Sequence, residues 1–348
     1  MPLYRYAAGL GITALVVVFL VVGQQLLIPF AIAIMTWFLI DALALGISSL
    51  PFAGKYLPTF ACKSLAVIGV ISALGGILVY TGDSLVKVVQ DAPMYQHNLE
   101  RLMAQVSAFI GIEETPSINQ LVDQIEFGPF VASIASELAN GIANAGLVLI
   151  YLLFLLMEHD SFDKKIAAIF GDDNSRRRVQ NIIAQIGTDI RQYIWIKTLM
   201  SLVTGVLSLI VLMAVGIEYA SFWALLIFLL NYIPVVGSLI GVLFPALLAL
   251  VQFESLTNFF ILVPLLTVIQ IGVGNILEPK LMGSSLNLSA IVVLLSLAVW
   301  GSIWGIAGMF LSVPITVFLM IIFSNVPQTR AIAIILSSDG DIKTLDHE

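Results

Sequence analysis

The chain has 348 residues, of which 59% are apolar and only 11% charged, with a formal net charge of −7 and a single cysteine. Soluble domains carry about 45–50% apolar and about 25% charged residues. A mean hydropathy of +1.04 therefore excludes a soluble globular protein and leaves an all-α polytopic membrane protein. Cys62 has no partner for an internal disulfide, so the chain carries no redox signature of its compartment.

Uncharged runs of about 20 residues match the hydrocarbon thickness of a bilayer. Residues 6–22 and 26–50 are predicted as spans one and two, joined by the short uncharged "GQQ". The first run follows Arg5 as a signal peptide would, but "FLVVGQQLLIPF" has no small-x-small cleavage site and is read as retained. Asp41, in "WFLIDALALG", is the one carboxylate well within a span. Such groups are functional candidates by default, so a coupling-ion role stands beside a bond to a neighbouring helix or subunit. Span three is predicted over 64–82, after Lys55 and Lys63.

From Asp83 to Gly128 seven acidic residues stand against Lys87 and Arg101. Leu85, Val88, Val89, then Leu99, Leu102, Met103, Val106 and Phe109 recur there at helical spacing, which predicts an amphipathic insertion outside the membrane. Span four follows at roughly 135–157. Residues 158–198 hold seven of the fifteen basic residues, including "RRR" at 176–178. Val179, Ile182, Ile183, Ile186, Ile190 and Tyr193 form one apolar face of a helix expected to lie along the membrane interface or to pack on span five, 199–217. Thr204 and Ser208 in span five either line a path or, the better reading, bond their own helix backbone.

Lys and Arg favour the cytoplasmic side. A cytoplasmic amino terminus puts thirteen of the fifteen basic residues inside and the acidic insertion outside, with the carboxyl terminus inside too. The second half then breaks its own pattern twice. "FLLNYIPVVGSLIGVLFPALLALV" (228–251) is apolar, yet it holds an Asn, two prolines and two glycines. Its first arm, Ser221–Tyr232, reaches only about 20 Å, short of a roughly 30 Å core. Broken backbone at depth is tolerated where it faces protein or a polar cavity. Pro234 removes a donor and Gly237 lets the chain turn, which predicts a hairpin entering and leaving on the outer side. After span 256–277, Gly301, Gly305 and Gly308 interrupt a second run and Pro314 follows, predicting a hairpin from the cytoplasmic side with a second arm over Ile303–Phe323. Six full spans and two broken, re-entrant hairpins of opposite entry suggest an inverted repeat, the plan of many secondary transporters. The expected segments are 1–82 (spans one to three), 83–128 (the insertion), 129–198 (span four and the basic helix), 199–324 (the transport core) and 325–348 (a cytoplasmic tail).

"LLNYIPVVGSLIGVLFPALLAL" and "LEPKLMGSSLNLSAIVVLLSLAVWGSIWGIAGMFLSVPI" resemble the hallmarks of the autoinducer-2 exporter family of bacterial membrane proteins, and "IGTDIRQYIWIKTLMSLVTGVL" extends the likeness. It covers most of 178–324. Over 1–130 only the layout matches. The resemblance implies a homo-oligomer in the inner membrane that moves its cargo by a secondary, elevator-like mechanism. For some relatives it implies sodium(lithium)/proton antiport. It leaves the cargo open.

Candidate site residues follow from polarity in apolar surroundings. Asn231 either binds a hydroxyl-rich solute or caps a carbonyl freed by Pro234. Gln270 and Asn275 in span 256–277 either line a polar path or join helices. Glu278 and Lys280 either gate and couple, or form an exposed ion pair at a helix end that Pro279 closes. With Asp41 for coupling and Pro234, Gly237, Gly301, Gly305 and Gly308 at the tips, these form the expected site. The three histidines, His97, His159 and His347, lie outside the spans, and HExxH, GxSxG and GxxxxGK motifs are absent. No enzyme, cofactor, metal or nucleic-acid partner is expected. The expected partners are the bilayer, a small polar solute, further copies of the chain and a coupling proton or sodium ion. A sodium/proton antiporter and a non-transporting scaffold are the rival readings.

Overall fold

In the computed structural model, residues 2–50, 56–110, 144–158, 164–253, 256–283 and 287–342 are described. Regular structure there is helical, apart from one isolated bridge between Leu288 and Ser337. The helices are α1 (Pro2–Val22), α2 (Gln24–Ser49), α3 (Thr59–Ile110), α4 (Asn144–Glu158), α5 (Asp173–Val215), α6 (Ala220–Leu230), α7 (Val236–Gln252), α8 (Leu256–Ile271), α9 (Ala290–Asn325) and α10 (Arg330–Leu336). Five helical stretches are long and apolar enough to cross a membrane: Gln24–Ser49, Thr59–Ser84, Asp173–Val215, Leu256–Met282 and Ala290–Asn325. Gly11–Val22 and Asn144–Glu158, where spans one and four were expected, are shorter apolar helices. The expected start of span four, 135–143, lies outside the described residues, as do Lys55, Lys343 and the insertion beyond Ile110.

Several expected boundaries shift. One residue, Gly23, separates α1 from α2 where "GQQ" was expected, and a Cβ there would lie 2.8 Å from Phe19 O. α3 runs on without a break through the expected segment border at 82–83. The basic helix and span five are one 43-residue helix, α5, about 65 Å long at 1.5 Å per residue. Neither Gly nor Pro interrupts its hydrogen bonds strongly enough to turn the chain at 198. Its start is fixed by Asp172, whose carboxylate accepts the Ser175 N–H at 2.8 Å. Its end is a Schellman turn: Gly216 at φ 83, with Ile217 N–H donating to Leu212 O at 2.9 Å.

The chain forms two compact units, one of Met1–Ile68, Asn144–Ile196 and Met282–Glu348, the other of Gly69–Ala143 and Lys197–Leu281. In the first, Phe38 of α2, Ile186, Ile190, Tyr193 and Ile194 of α5, and Val313, Val317 and Ile321 of α9 share one core. The apolar face expected for the basic helix is thus real, but it packs on protein instead of lying along the membrane surface. Ile183, one step off that face, is exposed. In the second unit Leu212, Phe222, Trp223, Ile227, Leu248, Ala249, Leu262 and Leu266 join α5, α6, α7 and α8.

Both expected breaks are present. α6 ends at Leu230 and α7 starts at Val236, and the two run back along one another, with Trp223 against Phe244 and Ile227 at Gly241. Within α9, Trp304 (φ −125) and Gly305 (φ 59) leave the helix. Two close approaches prove the reversals. A Cβ on Gly237 would lie 1.8 Å from Leu230 O, and one on Gly308 would lie 1.9 Å from Trp300 O. Along a straight helix those residues stand about 10 and 12 Å apart.

Candidate functional site

The first reversal is built from backbone geometry that only its neighbours can hold in place. Pro234 O accepts the Val236 N–H at 2.6 Å, with Val235 between them at φ 62, ψ −57. That is a γ-turn around a β-branched residue, a strained conformation costing on the order of 1–3 kcal/mol. Gly237 meets the backbone of the first arm, and the base of the pair is closed by Gln252, which donates to Gly216 O and accepts from Glu218 N–H, both at 2.8 Å.

α5 supplies the wall behind this turn. Lys197, Ser201, Thr204, Ser208 and Leu212 are buried at spacings of three and four, one stripe of the helix. Gly205 on that side lets α6 come close: a Cβ there would stand 3.1 Å from Phe228 Cβ and 3.3 Å from Ala224 O. The polar groups of the turn then pair with the stripe. Asn231 Nδ2 donates to Ser201 Oγ at 3.1 Å, and the Tyr232 hydroxyl donates to Thr198 Oγ1 at 2.7 Å. The amide of Asn231 thus reaches a neighbouring helix, not a carbonyl beside Pro234. Thr204 bonds Met200 O of its own helix at 2.9 Å, the arrangement expected for it. Ser208 Oγ, one turn further, is buried with no partner, as is the Trp223 indole N–H.

α8 closes the arrangement. Leu262, Leu266 and Gln270 form its buried face, and Gln270 Nε2 sits 3.2 Å from the place of a Cβ on Gly241 in α7. A π-turn, Gly272–Leu277, follows, and the Glu278 N–H bonds Val273 O five residues back. At α-helical spacing Glu278 would stand about 140° around the helix from the buried Val273. The i→i+5 turn restores it to the same face. There its carboxylate meets Lys197 Nζ at 2.6 Å, with the side chains only 6% (Lys197) and 14% (Glu278) exposed. This corrects the expected exposed ion pair between Glu278 and Lys280: Lys280 is exposed, and the partner is Lys197, 81 residues away in sequence. The expected helix stop at Pro279 is also overturned, because the helix continues to Met282. The wider π-turn relieves the clash between the proline ring and the carbonyl four residues before it. Removing one partner of such a buried pair costs about 3–5 kcal/mol.

Asn231, Gln270, Glu278 and Gly237 are therefore gathered, buried, among α5, α6, α7 and α8, with Pro234 half-buried at the turn. Asn275 lies on the exposed side of the π-turn. The glycines of the second reversal have apolar company. Gly301 packs on Met309, Trp300 stacks near Trp304 at 5.6 Å, and Trp304 Nε1 donates to Leu20 O at 3.0 Å; Gly305 is exposed and Gly308 buried. Asp41 stands apart from both groups in its contacts, 3.4 Å from Lys63 Nζ, and is partly exposed. Lys197 and Ser201 escaped sequence reasoning. Lys197 was absorbed into a basic cluster, and its place on the Ser201–Thr204–Ser208 stripe was the signal available to find it.

Known proteins resemble this chain along most of its length. The AI-2 transport protein TqsA of Escherichia coli K12 is 28% identical over 289 residues, 80% of this chain and 81% of its own. A Borreliella burgdorferi protein named "Putative transport protein" is 30% identical over 269 residues, 76% of this chain and 73% of its own. A Haemophilus influenzae protein of the same name is 31% identical over 261 residues, 73% and 75%. The model of the AI-2E family transporters matches residues 10–328, and with its five membrane-length apolar helices the chain belongs to that family of multi-pass membrane transporters.

Proposed function

We propose that the protein is a secondary transporter that exports a small polar metabolite, an autoinducer-2-like signal, by alternating access of an elevator-like kind. The observation that carries this reading is the buried polar group Lys197–Glu278 and Asn231–Ser201, set among helices otherwise apolar. Ser201 lies fourteen residues before the end of α5, about 21 Å along a span. A chain that reverses beside it has entered most of a bilayer and turned back. That supports a re-entrant hairpin for α6–α7, and the matching reversal at Trp304–Gly308 supports a second one and an inverted repeat. The tips bind solute through Asn231 and the backbone around Pro234, Gly237, Gly301, Gly305 and Gly308. Gln270 and Asn275 complete the lining, and Asp41, Glu278 and Lys280 couple or gate. The name of TqsA supplies the cargo class. The protein works as a homo-oligomer in the inner membrane with both termini cytoplasmic.

The buried carboxylate of Glu278 also favours a second reading, sodium/proton antiport. Efflux from autoinducer-2-loaded proteoliposomes, with and without imposed sodium and proton gradients, separates the two. Export above empty liposomes that follows the proton or sodium gradient supports the first. Sodium-dependent proton movement without export supports antiport. Silence in both readouts overturns the transport reading for this cargo.

A further inference from the structure

The Lys197–Glu278 pair has a property that the rest of the polar group lacks: it is fully ionic yet has no net charge. Its two ends come from different helices, α5 and the extension of α8, and the π-turn exists in the one place that turns Glu278 toward Lys197. Lys197 lies eighteen residues before the end of α5, about 27 Å along it, one turn beyond the Asn231–Ser201 bond. The pair therefore stands at the inner end of the polar group, next to the Tyr232–Thr198 bond. Lys280, the nearest charge in sequence, points outward.

We infer that Lys197 and Glu278 form a charge filter for the solute, a specificity-determining pair that admits neutral, hydroxyl-rich molecules and rejects ions of either sign. A neutral solute with an acceptor and a donor hydroxyl can part the two side chains and take one hydrogen bond from the ammonium while giving one to the carboxylate. Both charges then stay satisfied. An anion can replace Glu278 at Lys197 only by leaving the carboxylate buried and unpaired, and a cation does the converse. Rejection thus comes from the partner left behind, the usual source of steep discrimination at polar sites. The filter rests on the transport reading above.

The test uses full-length protein in proteoliposomes and three probes: autoinducer-2 as the neutral solute, D-xylonate as the anion and 1-amino-1-deoxy-D-xylitol as the cation. The wild type is expected to move autoinducer-2 at least tenfold faster than either ion. Glu278→Gln, which leaves an unpaired ammonium, should shift the anion-to-neutral ratio at least tenfold toward xylonate. Lys197→Gln should shift the cation-to-neutral ratio similarly toward the amine. The exchanged double variant, Lys197→Glu with Glu278→Lys, should restore neutral preference. A brace with no role in selection would lower all three rates together and leave the ratios as in the wild type, and that result overturns the filter while sparing the transporter. A wild type that moves none of the probes defeats the transport reading and the filter with it.

Discussion

The two chain reversals use one backbone device and surround it with opposite chemistry. At Leu230–Gly237 and at Trp300–Gly308 a glycine lies so close to a carbonyl of the preceding arm that no side chain fits. Around the first, the turn presents Asn231 and Tyr232 to the hydroxyls of α5, within reach of a buried ion pair. Around the second, tryptophan and methionine fill the space, and the hydrogen bond given for the turn's side chains is Trp304 to a carbonyl of α1. Backbone reversal and polar recognition are therefore separable: the fold can place a turn in an apolar setting twice and equip only one of them for a hydrophilic solute. The strain follows the same division, since the first turn forces valine into positive φ and the second uses glycine.

Substitutions sharpen or break this contrast. The largest effect is expected at the ion pair. Lys197→Ala should lose about 3–5 kcal/mol, whereas Lys197→Leu with Glu278→Leu together should cost far less. Thermal midpoints of the purified variants in detergent check this, and equal losses in the single and double variants would show that the charges are not coupled. Next come Gly237→Ala and Gly308→Ala, which should each destabilise by about 1–3 kcal/mol or more because the opposing atoms are backbone and cannot move aside. The folded fraction in size-exclusion profiles reports it, and tolerance at either glycine would deny that both turns share one device.

A smaller difference separates Asn231→Ala from Trp304→Phe. The first should cost about 1–3 kcal/mol by stranding a buried partner, and it should cut transport. The second should cost about 0.5–1.5 kcal/mol and spare transport. Equal transport in the two variants breaks the proposed division of labour. Smallest of all is the cap of α5, remote from both turns. The Ser175 N–H holds the Asp172 carboxyl below its ordinary 3.8. A group with a depressed pKa stabilises the fold above its ordinary value, and that contribution is lost as pH falls through the lowered one. Hydrogen exchange of the first turn of α5 should therefore speed up on acidification in the wild type and be fast at all pH in Asp172→Ala. An unchanged pH profile in that variant would remove the cap.

Much of this was legible in the residues. Pro234 and Gly237 marked the first turn because apolar stretches have no other use for both, and the short first arm showed that it could not cross. Gly305 and Gly308 did the same for the second. The pairing of Lys197 with Glu278 was not legible, for two physical reasons. A basic residue at the edge of a basic cluster looks solvated until its helix is known to continue, and nothing in local composition stops or starts a helix at 198. Glu278 depended on a π-turn, which Gly272 and Gly274 permit but do not announce. The expected interfacial helix failed for a related reason: an apolar face docks equally well on lipid or on α2 and α9, and periodicity alone does not choose.

The π-turn at Gly272–Leu277 has a consequence for how this chain can change. Six residues there do the angular work of five, so dropping a single codon in this stretch would leave the reading frame intact and yet rotate everything beyond it by about 100°. Glu278 would then face away from Lys197 although every residue of the site was still encoded. In this part of the gene, tolerance of length change is set by helical phase, and a one-codon deletion acts as a rotation.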